Sequence, residues 1–209
     1  MMNFPRKNSP RSRAQAGFTL SELLISIFLI SLLSYGVSSF MRNTFFYNTT
    51  IRKALNSQFE VRQTLKKLSA ELRAASQASD GSYALAEASS TSLTFYTDLN
   101  GDGVKERLRY FLSGTTLRRG VIIPSGSPLT YNSGSETVSD MVHYRVGTTS
   151  IFTYYDSGYA ATTTPLSQPV TVSAVRLVQA AITVNPDPGR QPNVSFTSKV
   201  SLRNLKDNL

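Results

Sequence analysis

The sequence predicts an α+β protein in which one long N-terminal helix packs on a C-terminal antiparallel β-sheet. Residues 18–40 are apolar, with the single charged group Glu22. Residues 41–80 contain neither proline nor glycine and carry apolar side chains mostly three or four positions apart, which is helical spacing. Residues 81–209 are rich in serine, threonine and tyrosine, and β-branched residues alternate with polar ones, which indicates strands.

The apolar run is long enough to cross a membrane. As a helix, residues 18–40 would span about 34 Å, against a hydrocarbon core of roughly 30 Å. Residues 1–17 are polar and basic and contain two prolines, so we expect this segment not to fold. The formal net charge of the chain is +9. Residues 1–17 contribute four positive charges and no acid, which favours a cytoplasmic N-terminus. The four basic residues are Arg6, Lys7, Arg11 and Arg13.

Three interpretations of the N-terminal region compete. It could be a secretory signal that is cleaved after the apolar run, where residues 36–38 offer a small-residue site. It could be an uncleaved anchor, or a basic leader that is cleaved before the apolar run, after Gly17. A carboxylate in an apolar helix costs about 2.5–3.5 kcal/mol at the bilayer centre and less near the interface. A signal or a simple anchor has no use for that cost at Glu22, whereas a subunit that pairs with a cation in the membrane does.

The string Gly17-Phe18-Thr19-Leu20-Ser21-Glu22, followed by the long apolar run, resembles the cleavage motif of type IV prepilins and type II secretion pseudopilins. The resemblance implies that a membrane aspartyl peptidase cleaves after Gly17 and methylates the new amine of Phe18. It also implies that Glu22, the fifth mature residue, pairs with the N-terminal amine of a neighbouring subunit. The family often has a proline midway along this helix, and this sequence has Gly36 in that region instead.

The second half of the predicted helix, which we expect to end near Ala78, is amphipathic. Its apolar side is expected to pack on the sheet and consists of Ile51, Leu55, Phe59, Leu65, Leu68, Leu72 and Ala75. The opposite side carries Arg52, Arg62, Lys66 and Arg73. Contact with nucleic acid or with acidic neighbours is one interpretation of these cations. A solvated helix face is the favoured one.

The remaining chain predicts a β-rich head. The predicted strands are Ser92–Thr97, Glu106–Leu112, Thr116–Ile123, Val142–Val146, Ile151–Tyr155, Val170–Val184 and Val194–Leu202. The turn residues 186–189 predict a hairpin between the last two. The order of elements resembles the larger minor subunits of the family, the J-type pseudopilins and W-type minor pilins. Residues 98–103, 115–120 and 200–205 carry that resemblance.

One segment has the pattern of a metal loop. Asp98, Asn100 and Asp102 alternate before Gly103, as in the first half of an EF-hand calcium loop, and Glu106 follows at the ninth position. The twelfth position, which should be a bidentate glutamate, is Arg109. Calcium is therefore a candidate cofactor. The alternative is a tight turn, since Asn-Gly and Asp-Gly favour hairpins without a metal.

Other chemistry has little support in the sequence. The chain has no cysteine and one histidine, His143, which argues against thiolate and multi-histidine metal sites and predicts a structural or surface histidine. No nucleophile elbow, phosphate loop or zinc-helix motif occurs. An exported hydrolase is thus the least supported function.

The resemblance implies a structural, non-enzymatic subunit of the bacterial inner membrane, with its head outside the cytoplasm. Its expected partners are the prepilin peptidase, other pilins or pseudopilins in a hetero-oligomeric filament, and the inner-membrane assembly platform. We expect a minor subunit that helps to initiate or cap a type IV pilus or type II secretion pseudopilus. The alternative is a binding module at a pilus tip, either an adhesin or a DNA-uptake receptor.

Overall fold

The computed structural model describes residues 17–144, 150–160 and 163–202. The basic residues of the leader, and the last seven residues of the chain, lie outside this range. One helix, α1 (Leu20–Arg73), precedes eight strands: β1 (Leu85–Ala88), β2 (Ser92–Thr97), β3 (Glu106–Ser113), β4 (Thr116–Ile122), β5 (Thr137–Val142), β6 (Phe152–Tyr155), β7 (Leu177–Val184) and β8 (Val194–Ser201). The predicted α+β class is confirmed.

The chain divides into two compact units at residues 48 and 49. The described part of the first unit, residues 17–48, is helical from Leu20, and the helix is continuous through Gly36. Almost all of its side chains are exposed. α1 is the one helix among the described residues that is long and apolar enough to cross a bilayer, and it contains residues 20–40 of the predicted apolar stretch.

The second unit, residues 49–202 as described, contains two antiparallel sheets. Strands β1 to β5 form one sheet in chain order, and β6 to β8 form the other. The remaining helical residues, 49–73, bury one side in the core of this unit. The helical part of that side consists of Val61, Leu65, Leu68 and Leu72, which belong to the same apolar cluster as Phe95 of β2, Leu117 of β4 and Ile182 of β7.

The predicted apolar side of the helix is partly wrong. Leu65, Leu68, Leu72 and Ala75 are buried, whereas Ile51, Leu55 and Phe59 are 53%, 60% and 66% exposed. Each step of four residues advances the position by about 40° round a helix with 3.6 residues per turn. Leu55 and Phe59 therefore lie progressively further round the helix from the buried side. Ile51 is within about 40° of Leu65, but it precedes Ser57, the first buried residue of the helix.

The helix also ends at Arg73 rather than near Ala78. The backbone N–H of Ser76 donates to the carbonyl of Tyr96 at 3.0 Å instead of continuing the helical ladder. The segment after the helix is thus hydrogen-bonded to β2. No proline or glycine marks this end in the sequence. The helix ends here because Ser76 donates to a carbonyl twenty positions further along the chain.

Most of the predicted strands are confirmed within one residue. β1 was not predicted, because its short sequence Leu-Ala-Glu-Ala favours a helix and becomes a strand by pairing with β2. The strand predicted at Val142–Val146 is wrong in position. β5 ends at Val142 and is an exposed edge strand without an apolar alternation, while residues 145–149 lie outside the described range. β7 begins at Leu177, since residues 172–174 form a short 3₁₀ turn. The predicted hairpin is confirmed by the pairing of β7 with β8.

A buried ion pair joins the helix to the five-stranded sheet. Glu71 of α1 accepts two hydrogen bonds from Arg119 of β4, at 2.6 Å and 3.2 Å, and both side chains are only 9% exposed. Tyr110 of β3, which is fully buried, donates its hydroxyl to the same carboxylate at 2.6 Å. Burial, followed by the charge of Glu71, raises the pKa of Tyr110, so its hydroxyl stays a donor. Each oxygen of Glu71 therefore has a partner inside the core.

We predict that Glu71→Ala lowers the free energy of unfolding by about 3–5 kcal/mol, because it leaves the Arg119 charge buried without its partner. Glu60 is the matched control on the same helix. Its partner His143 is 46% exposed, so Glu60→Ala should cost no more than about 1 kcal/mol. Denaturant unfolding of the full chain in detergent, followed by the spectroscopic signal of its tyrosines, measures both. Equal losses for the two variants would contradict the prediction.

Candidate functional site

The predicted processing segment lies at the start of α1. Gly17, Phe18 and Thr19 precede the helix, and Gly17 and Phe18 are exposed. A Cβ added to Gly17 would meet no atom within 4 Å. The peptide bond between Gly17 and Phe18 therefore lies in exposed backbone outside the helix, where a peptidase can reach it.

Thr19 begins the helix. Its hydroxyl accepts a hydrogen bond from the backbone N–H of Glu22 at 3.3 Å, and its carbonyl accepts the first helical bond, from Leu23, at 3.1 Å. Threonine followed three positions later by glutamate is the pattern of a capping box, and the bond seen here is its first half. The helix start is therefore encoded by the same residues that form the cleavage motif.

Glu22 lies in the first turn of α1 and is exposed. A negative charge at this position interacts favourably with the N-terminal end of the helix dipole. Among the described residues, no cation lies within ion-pair distance of its carboxylate. The arrangement can thus offer a negative charge, at the start of an apolar helix, to a cation from outside the described chain.

The predicted metal loop is closed by its own hydrogen bonds. The carboxylate of Asp98 accepts the backbone N–H of Gly101 at 2.7 Å and that of Gly103 at 2.9 Å. Both glycines have positive φ angles, 80° and 89°, which suit glycine. Asp102 accepts from Val104 at 2.7 Å. This pattern explains the aspartates as turn formers.

The loop does not gather its oxygens round one point. The buried carboxylate of Glu106 accepts from the backbone N–H of Leu99 at 2.9 Å, and the ammonium of Lys105 lies 3.2 Å from the carboxylate of Asp98. Although desolvation opposes it, hydrogen bonds from Gly101 and then Lys105 lower the pKa of Asp98. Within the described ranges, no three acidic or histidine side chains are placed to hold a metal ion. The loop as folded fits calcium poorly, and calcium binding stays a prediction.

His143 is a surface residue, as predicted. Its Nδ1 lies 3.2 Å from the carboxylate of Glu60, which also accepts its backbone N–H at 3.1 Å. Of the basic residues on the helix, Arg62 lies over the ring of Phe196, 5.3 Å from its centroid, while Lys66 and Arg73 are exposed.

The sequence analysis did not predict the ion pair between Arg109 and Glu136 on the five-stranded sheet. Arg109 of β3 donates to both oxygens of Glu136, with a distance of 2.9 Å from Nε, and its guanidinium lies 4.0 Å from the ring centroid of Phe111. Glu136 precedes β5, so its side chain must cross β4 to reach Arg109. The only signal in the sequence is Gly120 within an otherwise ordinary strand. A Cβ there would lie 2.1 Å from Oε1 of Glu136.

Comparison with known proteins identifies one segment. Residues 12–37 match the family model described as the prokaryotic N-terminal methylation motif. This is the motif of type IV pilins and pseudopilins, which are structural subunits and not enzymes. It implies processing by a prepilin peptidase and assembly with other pilins. No curated protein matches the chain.

The calcium prediction can be tested on a soluble fragment that begins near residue 45. If the loop binds calcium, calcium at 100 times its dissociation constant adds about 2.7 kcal/mol to the free energy of unfolding and raises the melting temperature of the fragment. The variant Asp98→Ala/Asp102→Ala should lose that increase. Lys105→Gln, which removes the competing ammonium, should enlarge it. If calcium does not raise the melting temperature of the unmodified fragment, or raises that of the double variant equally, the loop is a plain turn and not a calcium site.

Proposed function

We propose that this chain, which its N-terminal motif and pilin-like fold place in the type IV pilin and pseudopilin family, is a minor subunit. In this role it assembles into a type IV pilus or type II secretion pseudopilus and helps to initiate or cap it. The observation that carries the proposal is the exposed apolar helix that begins at Leu20, directly after Gly17 and Phe18, and has Glu22 in its first turn.

The first unit exposes most of its large apolar side chains. Large apolar side chains along residues 18–48 are mostly more than half exposed, among them Phe28, Leu33 and Phe40 at 64%, 68% and 72%. Apolar surface of this extent is stable only in lipid or against other apolar helices. A subunit that waits in the inner membrane, with its head outside the cytoplasm, and then enters a filament meets both environments in turn.

Glu22 would make the movement of the subunit from the membrane into the filament specific for one position. Cleavage after Gly17 would create an amine on Phe18, four residues before Glu22 and about 6 Å away along a helix axis. A carboxylate near hydrocarbon is attracted to such a cation on a neighbouring subunit, so the pair would fix the axial register as well as the affinity. Assembly on an inner-membrane platform, together with other pilins, follows as part of the proposal.

The minor role is supported by the size of the head. Two sheets with eight strands follow the helix, and larger heads suit subunits at a filament tip, where neighbours constrain them less. The similarity to J-type pseudopilins and W-type minor pilins points the same way. The second candidate function, a binding module at the tip, is favoured by an open cavity on the five-stranded sheet. That cavity is lined by arginine and glutamate in equal number, which favours a ligand other than nucleic acid.

We predict that the mature protein begins at Phe18 and carries an N-methyl group. N-terminal mass analysis of the protein from its native membrane measures this directly. Gly17→Leu should leave a full-length protein in the membrane, because it removes the glycine that the motif has before the predicted scissile bond. Ser38→Leu is the control for cleavage after the apolar run, and should leave the mature start unchanged. A mature protein that starts at Met1 or after Ser38 would contradict the prediction.

We further predict that Glu22→Gln still inserts and is still cleaved, but is recruited poorly into filaments or their priming complex. The amide keeps the size and the capping geometry and removes only the charge. Glu22→Asp, which keeps the charge, is the matched control and should restore part of the recruitment. Crosslinking and pull-down with the partner subunits measure recruitment. Normal recruitment of Glu22→Gln would show that this carboxylate does not set the register.

A further inference from the structure

The five-stranded sheet has two faces of different character. Along β3, Leu108 and Tyr110 are fully buried towards the core, while Arg107, Arg109 and Phe111 alternate with them on the other face. That outer face holds an open cavity of about 480 Å³. We call it the outer cavity, and its charged and polar lining consists of Glu87, Thr94, Arg107, Arg109, Ser133 and Glu136. The volume is within the usual range for ligand sites, roughly 300–1,000 Å³.

The floor of the outer cavity is fixed. Arg109 is held between the carboxylate of Glu136 and the ring of Phe111. Glu136 reaches it only because Gly120 has no side chain. The hydrogen bond that Arg109 donates to Glu136 raises the pKa of Arg109, desolvation acts against it, and the charges of Glu136 and Glu87 add to the increase. This pair neutralises itself and leaves no charge for a ligand.

Arg107 and Glu87 differ from that pair. Arg107 donates one hydrogen bond to the hydroxyl of Ser133 at 3.0 Å. Glu87 accepts one from the hydroxyl of Thr94 at 3.3 Å. Within the described part of the chain, neither side chain has an oppositely charged partner within 4.0 Å. A guanidinium has five N–H donors and a carboxylate about four acceptor positions, so both keep most of their hydrogen-bonding capacity directed at the cavity.

The sheet register sets the spacing of these two residues. Glu87 is paired with Thr94, and Thr94 is paired with Arg109. β1, which carries Glu87, is therefore two strand spacings from β3, and Arg107 is one two-residue step further along β3. At about 4.8 Å between strands and 3.4 Å per residue, the Cα atoms of Glu87 and Arg107 are about 12 Å apart. An extended peptide covers about 13 Å in four residue steps, and its side chains four residues apart point to the same face. A free amino acid carries both charges on one carbon and offers no such spacing.

We propose that the outer cavity binds an extended peptide segment with a carboxylate and a cation four residues apart, on the same face of the peptide. The carboxylate is seated on Arg107, and the cation lies against Glu87. A guanidinium suits this task because it binds a carboxylate through two parallel hydrogen bonds. This site is separate from the N-terminal segment on which the subunit proposal depends, and either proposal can fail without the other.

The test uses the full chain in detergent micelles and the capped peptide acetyl-Lys-Ala-Ala-Ala-Glu-amide, with binding measured by calorimetry. We expect saturable binding, and a loss of about tenfold or more when the glutamate of the peptide is replaced by glutamine, or when the protein carries Arg107→Gln. Arg118→Gln is the matched control. It lies on the same face but is paired with Asp140 at 2.8 Å and does not line the cavity, so binding should be unchanged.

Glu87→Gln provides a second, independent variant on another strand. It should remove the preference for the lysine peptide over one with alanine in that position, while leaving the requirement for glutamate intact. Thermal unfolding of each variant reports whether the sheet is folded. The proposal is overturned if the peptide does not bind, if Arg107→Gln and Arg118→Gln bind it equally well, or if free glutamate binds more tightly than the peptide.

Discussion

The fold of the second unit depends on the contact between Glu71, Arg119 and Tyr110. A carboxylate and a guanidinium buried together cost several kcal/mol each in lost hydration, and only good geometry offsets this. Here the geometry is supplied by three elements at once, since the groups come from α1, β3 and β4. The contact can form only when the helix is in one rotation and one axial position relative to the sheet. It therefore selects a single arrangement where apolar packing alone would tolerate several.

The choice of that rotation decides the character of both faces of the sheet. Tyr110 and Arg119 are turned towards the helix. In each strand, the residues an odd number of positions away must point the other way, because successive side chains in a strand alternate. Arg107, Arg109 and Gly120 are thereby placed on the outer face. The outer cavity and its charged groups are thus a consequence of the same register that buries the ion pair.

The helix shows a related division of roles along its length. Residues 17–48 expose their apolar side chains, whereas Val61, Leu65, Leu68 and Leu72 bury theirs in the core of the second unit. A helix that is apolar all round suits lipid, and an amphipathic one suits a globular core. The cap at Thr19 starts the helix beside the cleavage motif, so cleavage before Phe18 would leave the helical cap in place.

The sequence alone determined the elements whose signals are local. The apolar run with Glu22, strand β2 and the hairpin between β7 and β8 all follow from neighbouring residues, and composition and periodicity are sufficient to locate them. The N-terminal methylation motif is recognised by its resemblance to a family, and it matches residues 12–37. Tertiary structure decided the rest. Helix α1 stops at Arg73 because Ser76 bonds to β2, and β1 is a strand because β2 pairs with it. Leu55 and Phe59 are exposed because the sheets cover another side of the helix. The partners of Glu71, and the crossing of Glu136 over Gly120, depend on strand register, which joins residues 16 to 48 positions apart and which no local pattern of side chains specifies.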